Sequence, residues 1–234
     1  MLKNYCFVCL DFETGGVDKK ENKHATKFPI TEVGLICFDM NFEEISRFSS
    51  YVKGQYNKDE VYVGYDTDLI YQSEALKHTG VTIEKMEKGL NYKEVVAQLI
   101  VEFQKCQLGK KYQLPVLVGH NITYDIPFLL YLFKFAKVDL SKYLSGYFDH
   151  FNEFQPIYLD TMWLSRISDP EGLHKHNLTD ACKQHEIEHF DAHSAINDVI
   201  PTKQLMKVFV DKLRSTGTGI EQQPAEKFRE HFHL

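Results

Sequence analysis

With 234 residues, 43% of them hydrophobic and 26% charged, the chain can bury one well-formed core or two small ones. Its formal net charge of −6 argues against a strongly basic protein that coats nucleic acid, while leaving room for an enzyme that grips a few nucleotides. No apolar run reaches the roughly 20 residues of a membrane span, and five cysteines, an odd number, point to thiols in a reducing, cytoplasmic setting.

The first element is a strand over about 5–13. No small-residue cleavage site follows it, so it reads as core rather than as an export signal. Cys6 and Cys9 form a C-x-x-C, but side chains three apart on a strand point to opposite faces, which makes them core cysteines rather than a metal clip. The polar, lysine-rich "VDKKENKHATKF" reads as a loop. "PITEVGLICFDMNFEEISRFSSYVK" reads as two strands joined by a turn near Asp39–Asn41. Residues 54–70 are a loop or an extra hairpin.

Tyr92, Val95, Val96, Leu99, Ile100 and Phe103 recur at helical spacing. "LPVLVGHN" is a short buried strand. "DIPFLLYLFKFA", apolar nearly all round, is a buried helix with Pro127 in its first turn. "PIYLD" is a strand ending in Asp160; "TMWLSRI" and "LTDACKQHEI" are short helices. "SAINDVIPTKQLMKVFVDKL" is a long helix whose "QLMKVF" segment faces the core. Strands first and then strands alternating with helices imply a mixed α/β sheet. One unit is expected over 1–214, and a mobile appendage over 215–234, where Gly, Gln and charge take over.

Asp11 and Glu13 close the first strand two residues apart, on one face. Asp125 opens a helix, where an aspartate is commonly a cap. His193 and Asp198 lie at the start of the last helix. Four carboxylates and an imidazole, each at an element end, suit a shared cleft. Hard oxygen donors favour Mg²⁺ or Mn²⁺ over zinc, and two such ions can serve a phosphoryl displacement.

In order and spacing, "DFETGG", "GHNITYDIPFL" and "HSAIND" resemble the three motifs of the DEDDh 3′–5′ exonucleases, a group that includes the proofreading subunit of bacterial DNA polymerase III. "ITEVGLICFD", "EALKHTGVT" and "LDTMWLSR" resemble the connecting segments, so the likeness covers about 5–213. The resemblance implies an α/β ribonuclease-H-like fold, a five-stranded mixed sheet flanked by helices. It implies Asp11, Glu13, Asp125 and Asp198 as metal-binding acids for two Mg²⁺ or Mn²⁺ ions. It also implies a catalytic part for Glu13 and His193, the latter as general base in the H-x4-D form of the third motif. Thr14, Gly15, His120, Asn121 and Tyr124 are then expected to contact the terminal nucleotide; without the motif, His120 and Asn121 read as turn residues satisfying backbone groups.

Two departures from the family pattern stand out. Thr14-Gly15-Gly16 replaces the usual Thr-Thr-Gly, and an added glycine is expected to loosen the grip on the nucleotide. Pro201 is expected either to start the last helix near Asn197 or to kink it, leaving His193 on a separate turn.

The expected activity is hydrolysis from the 3′ end of DNA, single-stranded or frayed, releasing nucleoside 5′-monophosphates. Proofreading beside a DNA polymerase tethered through the 215–234 tail is the suggested role. The rival with the same chemistry is an exoribonuclease. The rival without chemistry is a binding module, which would show a lost acid or histidine; none is lost. His185 and His189, spaced by four like His193, read as surface histidines. Tyr56, Tyr62 and Tyr65, then Tyr143, Tyr147, Phe148 and Phe151, read as loop aromatics that pack locally or stack bases.

Overall fold

The computed structural model describes residues 5–18, 24–107, 113–169, 171–189 and 193–217. In chain order its elements are β1 (Cys6–Thr14), α1 (His24–Lys27), β2 (Ile30–Asp39), β3 (Glu44–Tyr51), β4 (Gln55–Tyr56) and β5 (Tyr62–Val63). Then come α2 (Ser73–Thr79), α3 (Ile83–Glu87), α4 (Tyr92–Lys105), β6 (Val116–Gly119), α5 (Asp125–Phe135), β7 (Gly146–Phe148) and β8 (Phe154–Pro156). The last are β9 (Tyr158–Asp160), α6 (Thr161–Ile167), α7 (Leu178–Gln184) and α8 (Ala195–Gly217). Residues 54–70 thus hold a small hairpin, and the loop before β2 carries one helical turn. Most of the 215–234 tail lies outside the described residues, and α8 runs past its expected end at Leu213, to Gly217.

Five strands form one sheet in the order β3-β2-β1-β6-β9. The β1–β2 and β2–β3 pairs are antiparallel, while β1–β6 and β6–β9 are parallel. With helices on both faces, this is the ribonuclease-H-like α/β arrangement. β1 is buried on both sides, which is why it reads as a continuous apolar run rather than an alternation. Its even-numbered residues, Cys6, Val8, Leu10 and Phe12, pack with Leu99 and Phe103 of α4 and Phe128, Leu129 and Leu132 of α5. Its odd face, with Phe7 and Cys9, packs under Val199 and Met206 of α8. Cys6 and Cys9 accordingly enter separate cores, and all five cysteines are buried.

The helices follow from local signals. Asn91 and Glu94 form a reciprocal capping box at the start of α4. α5 buries Phe128, Leu129 and Leu132 completely, each contributing about 1.5–3 kcal/mol of transfer free energy. That packing, rather than a cap, fixes α5, whose N-cap residue Tyr124 makes no side-chain capping bond.

Candidate active site

The odd-numbered face of β1 continues past Cys9 to Asp11 and Glu13, which therefore point toward α8. The β1–β2 register sets Asp11 opposite Gly34 and Glu13 opposite Glu32. Asp198, in the first turn of α8, completes a group in which carboxylate oxygens of Asp11, Glu13 and Asp198 lie within 4.8 Å of one another. Asp125 approaches from the other side of β1. Its Oδ1 accepts the Phe12 amide at 3.0 Å, a bond from helix to strand that takes the place of the capping role its position suggests.

The mouth of this cleft is built from the strand end and α5. The Thr14 and Tyr124 hydroxyls lie 3.1 Å apart, and each also reaches the Gly16 carbonyl at 3.3 Å. The added glycine, Gly15, is held by its backbone in this loop. Gly15 donates to the Pro29 carbonyl at 2.8 Å and accepts from the Gln72 amide at 2.7 Å. A Cβ at Gly16 would sit 2.5 Å from the Phe28 ring, so glycine there permits tight packing. Asn121, exposed and at φ 62°, is held by its amide bond to Asp160 Oδ1 at 2.9 Å. The His120 ring is bonded at both nitrogens: one pairs with Thr161 Oγ1 at 2.9 Å and the other with the His176 carbonyl at 2.8 Å. Its polar atoms are spent inside the protein, as in the turn-residue reading.

α8 begins at Ala195 and runs through Pro201 without stopping. The proline cannot donate to Asn197, but the helix is held by Val199, Leu205, Met206 and Phe209 in the core and by Thr202 Oγ1 bonding the Asp198 carbonyl at 2.7 Å. His193 stands two residues before the helix, exposed, at φ 78° and with its ring 4.1 Å from that of His78.

Two residues that the sequence reading passed over belong to the site. His189, expected on the surface, has a side chain only 4% exposed and its Nε2 is 2.6 Å from Asp198 Oδ1. His185 is likewise drawn in, edge-on to Phe209 at 5.2 Å. Glu32, 5% exposed, accepts from Ser194 Oγ at 3.0 Å. The signal for Glu32 was available: a lone acid in the apolar run of β2 needs a partner. For His189 no spacing rule applied, because its contact with Asp198 forms only in the fold. Of the aromatic loops, Tyr62 and Tyr65 are buried. Tyr147, Phe148 and Phe151 are exposed on the β7–β8 hairpin, which leads into β9 at the end of the sheet opposite the acids.

Crowding shapes the electrostatics. Burial raises the Asp11 carboxyl well above the usual carboxylate range, and Asp125, Asp198, Glu13 and Glu32 raise it further. Glu13 is pushed up to about 7, first by burial and then by Asp198 and Glu32. Asp125 is raised by burial against the opposing pull of the Phe12 amide. Clustered carboxylates that repel one another, with oxygens close enough to share one ion, are a donor set that fits a hard divalent cation.

The RNase_T family profile, described as Exonuclease, matches residues 8–206, which include every acid of the cluster. The chain belongs to the RNase_T exonuclease family. A relative in that setting is Exodeoxyribonuclease I of Haemophilus influenzae, 26% identical over 221 residues that cover 91% of this chain and 41% of that protein. Among solved structures, E. coli Exonuclease I in complex with a dT13 oligonucleotide matches with a TM-score of 0.66 at 20% identity, over 92% of this chain and 42% of that one. Cell-death related nuclease 4 (CRN-4) matches with a TM-score of 0.61 at 14% identity, over 88% of this chain and 64% of that one. The chain spans about two-fifths of the length of the Exonuclease I relatives. The likeness is to Exonuclease I within the DEDDh group, not specifically to the polymerase III proofreading subunit suggested by the motifs.

Proposed function

We propose that this chain is a divalent-metal-dependent 3′–5′ exonuclease that removes nucleoside 5′-monophosphates from single-stranded DNA ends. The observation that carries the reading is the convergence of Asp11, Glu13 and Asp198 beside Asp125 in a chain of an exonuclease family. The likeness to Exonuclease I, seen with a dT13 oligonucleotide, supports DNA as the substrate and digestion of a free strand over polymerase-linked proofreading.

Asp11, Glu13, Asp125 and Asp198 would hold Mg²⁺ or Mn²⁺, two ions in all. Bound there, the ions supply charge neutralisation at the scissile phosphate and a more acidic water. The protein's own part is positional. The pinned Gly15 backbone, Thr14, Asn121 and Tyr124 line the mouth and orient the terminal nucleotide. Water adds to phosphorus as His193 takes its proton, and the bond to the 3′ oxygen of the preceding nucleotide breaks, that oxygen taking a proton from solvent to leave as the new 3′-hydroxyl. His189 steadies the Asp198 carboxylate.

The test gives the purified chain 3′- and 5′-labelled DNA and RNA oligomers with Mg²⁺, Mn²⁺ or EDTA. Single nucleotides should leave DNA from the 3′ end with either cation and not in EDTA. His193→Ala should lose about 10²–10⁴-fold in turnover while keeping the Mn²⁺-induced rise in melting temperature. Hydrolysis in chelator, cleavage within strands, or faster attack on RNA would each overturn part of the reading.

A further inference from the structure

Glu32 is buried, and the proposed chemistry gives it no role. It sits on β2 directly across from Glu13 and on the face that α8 covers. A buried carboxylate beside other acids is costly unless it is bonded. Its bonds lead to one place: it accepts the Ser194 hydroxyl at 3.0 Å and the backbone amide of Ala195. Ala195 is the first residue of α8, and Ser194 accepts the first helical bond, from the Asp198 amide at 3.0 Å. Glu32 thus does from a neighbouring strand what a capping side chain does from within the helix, satisfying an unpaired first-turn N–H with negative charge.

A second contact fixes the same point. Two residues along β2, on the same face, a Cβ at Gly34 would lie 2.3 Å from the carbonyl carbon of Ala195 and 2.5 Å from the amide of Ile196. The helix start rests backbone to backbone on the strand that pairs with β1 at Asp11. Immediately before it, His193 holds φ 78°, a conformation a non-glycine residue keeps only when its surroundings impose it.

We propose that Glu32 is a positioning residue: through Ser194 and Ala195 it clasps the start of α8 to the sheet and so sets where His193 and Asp198 stand relative to Asp11 and Glu13. This role rests on the exonuclease reading for its effect on turnover. Its effect on cation binding can be read without turnover.

Four variants of the full chain test it: Glu32→Gln, Glu32→Ala, Ser194→Ala and the Glu32→Ala/Ser194→Ala pair. Each is followed by Mn²⁺ titration of melting temperature and by kcat and KM on a 3′-labelled oligothymidylate. Glu32→Ala should lower kcat by about 10–100-fold, the cost of a small misplacement of reacting groups, with KM little changed. It should also move the Mn²⁺ midpoint to higher concentration. Ser194→Ala, the milder change, should move both in the same direction by less. The pair should be no worse than Glu32→Ala alone, because both changes remove one shared interaction. Glu32→Gln keeps a carbonyl acceptor and should restore both readouts to within about threefold of wild type.

The clasp is overturned if Glu32→Ala leaves kcat and the Mn²⁺ curve unmoved. It is overturned equally if Glu32→Gln fails as fully as Glu32→Ala, which would make the charge a cation ligand, or if the two single losses multiply in the pair. A wild type that cleaves nothing, while Glu32→Ala but not Glu32→Gln shifts the Mn²⁺ midpoint, keeps the clasp and overturns the exonuclease reading. An active wild type with an unmoved Glu32→Ala does the reverse.

Discussion

Asp11 ends an apolar strand under conditions that disfavour its charge. Burial and four neighbouring acids raise its carboxyl well above the ordinary range, and a free-standing carboxylate would not be kept there for stability. A cation that neutralises the group explains the placement. Asp11→Asn should therefore abolish cation-supported cleavage and leave the metal-free melting temperature equal to or above wild type. Melting far below wild type in EDTA would make Asp11 a structural residue. The grouping of Asp11, Glu13 and Asp198 was legible in the sequence because each sits at a fixed offset within a short motif at an element end. Glu32 showed only as a lone acid in an apolar run and His189 not at all, because their partners, Ser194 and Asp198, reach them only through the fold. His120 shows what adjacency to a motif leaves out: its ring bonds to Thr161 and to the His176 carbonyl, partners that no local pattern announces.

Among the elements, the longer strands and helices were legible where they bury a face. The alternation of β1 between α4/α5 and α8 and the apolar wrap of α5 both follow from burial that the residue types announce. Over 54–70 a loop and a hairpin both stayed open, because two-residue strands have no period to read. α8 carries Pro201 because the core contacts on either side of it outweigh one missing hydrogen bond. What no periodicity shows is where a helix rests, and here the sequence feature is a glycine. Gly34 lets the α8 backbone touch β2, and a Cβ there meets backbone atoms that no rotamer change can move. Gly34→Ala should force the helix start outward, lowering stability by about 1–3 kcal/mol and slowing turnover, with circular dichroism spectrum retained. Wild-type melting and turnover in Gly34→Ala would mean that the close approach is not needed.

Across the whole molecule, the acid cluster couples stability to pH and to cations. Glu13 titrates at about 7 in the fold against an ordinary 4.5, so between those values the folded state holds a proton that the unfolded chain has lost. Stability then falls as pH rises through that window, by on the order of 3 kcal/mol with cations absent. Asp11 and Asp125, also raised, act in the same direction. His120 and His185 act in the opposite sense: burial lowers both, so acid below their ordinary 6.5 protonates the unfolded chain first and favours unfolding. The carboxyls of Glu44, Asp139, Asp149 and Asp169 are lowered, and their share is lost only in more acid solution, below the window. A wild-type profile mixes these terms, whereas comparison with Glu13→Gln isolates one of them. In EDTA, Glu13→Gln should gain melting temperature over wild type as pH goes from 5 to 8, by roughly 5–10 °C at about 2–4 °C per kcal/mol for a chain of this size. Saturating Mn²⁺ should reverse the order at pH 8, because the cation binds the ionised cluster and stabilises wild type by mass action. At pH 5, where protons compete for the same oxygens, Mn²⁺ should stabilise wild type far less. A difference between the two proteins that stays flat from pH 5 to 8 in EDTA would show that Glu13 is ionised at no cost in the fold, and the crowded cluster would then not be what draws a cation to the end of β1.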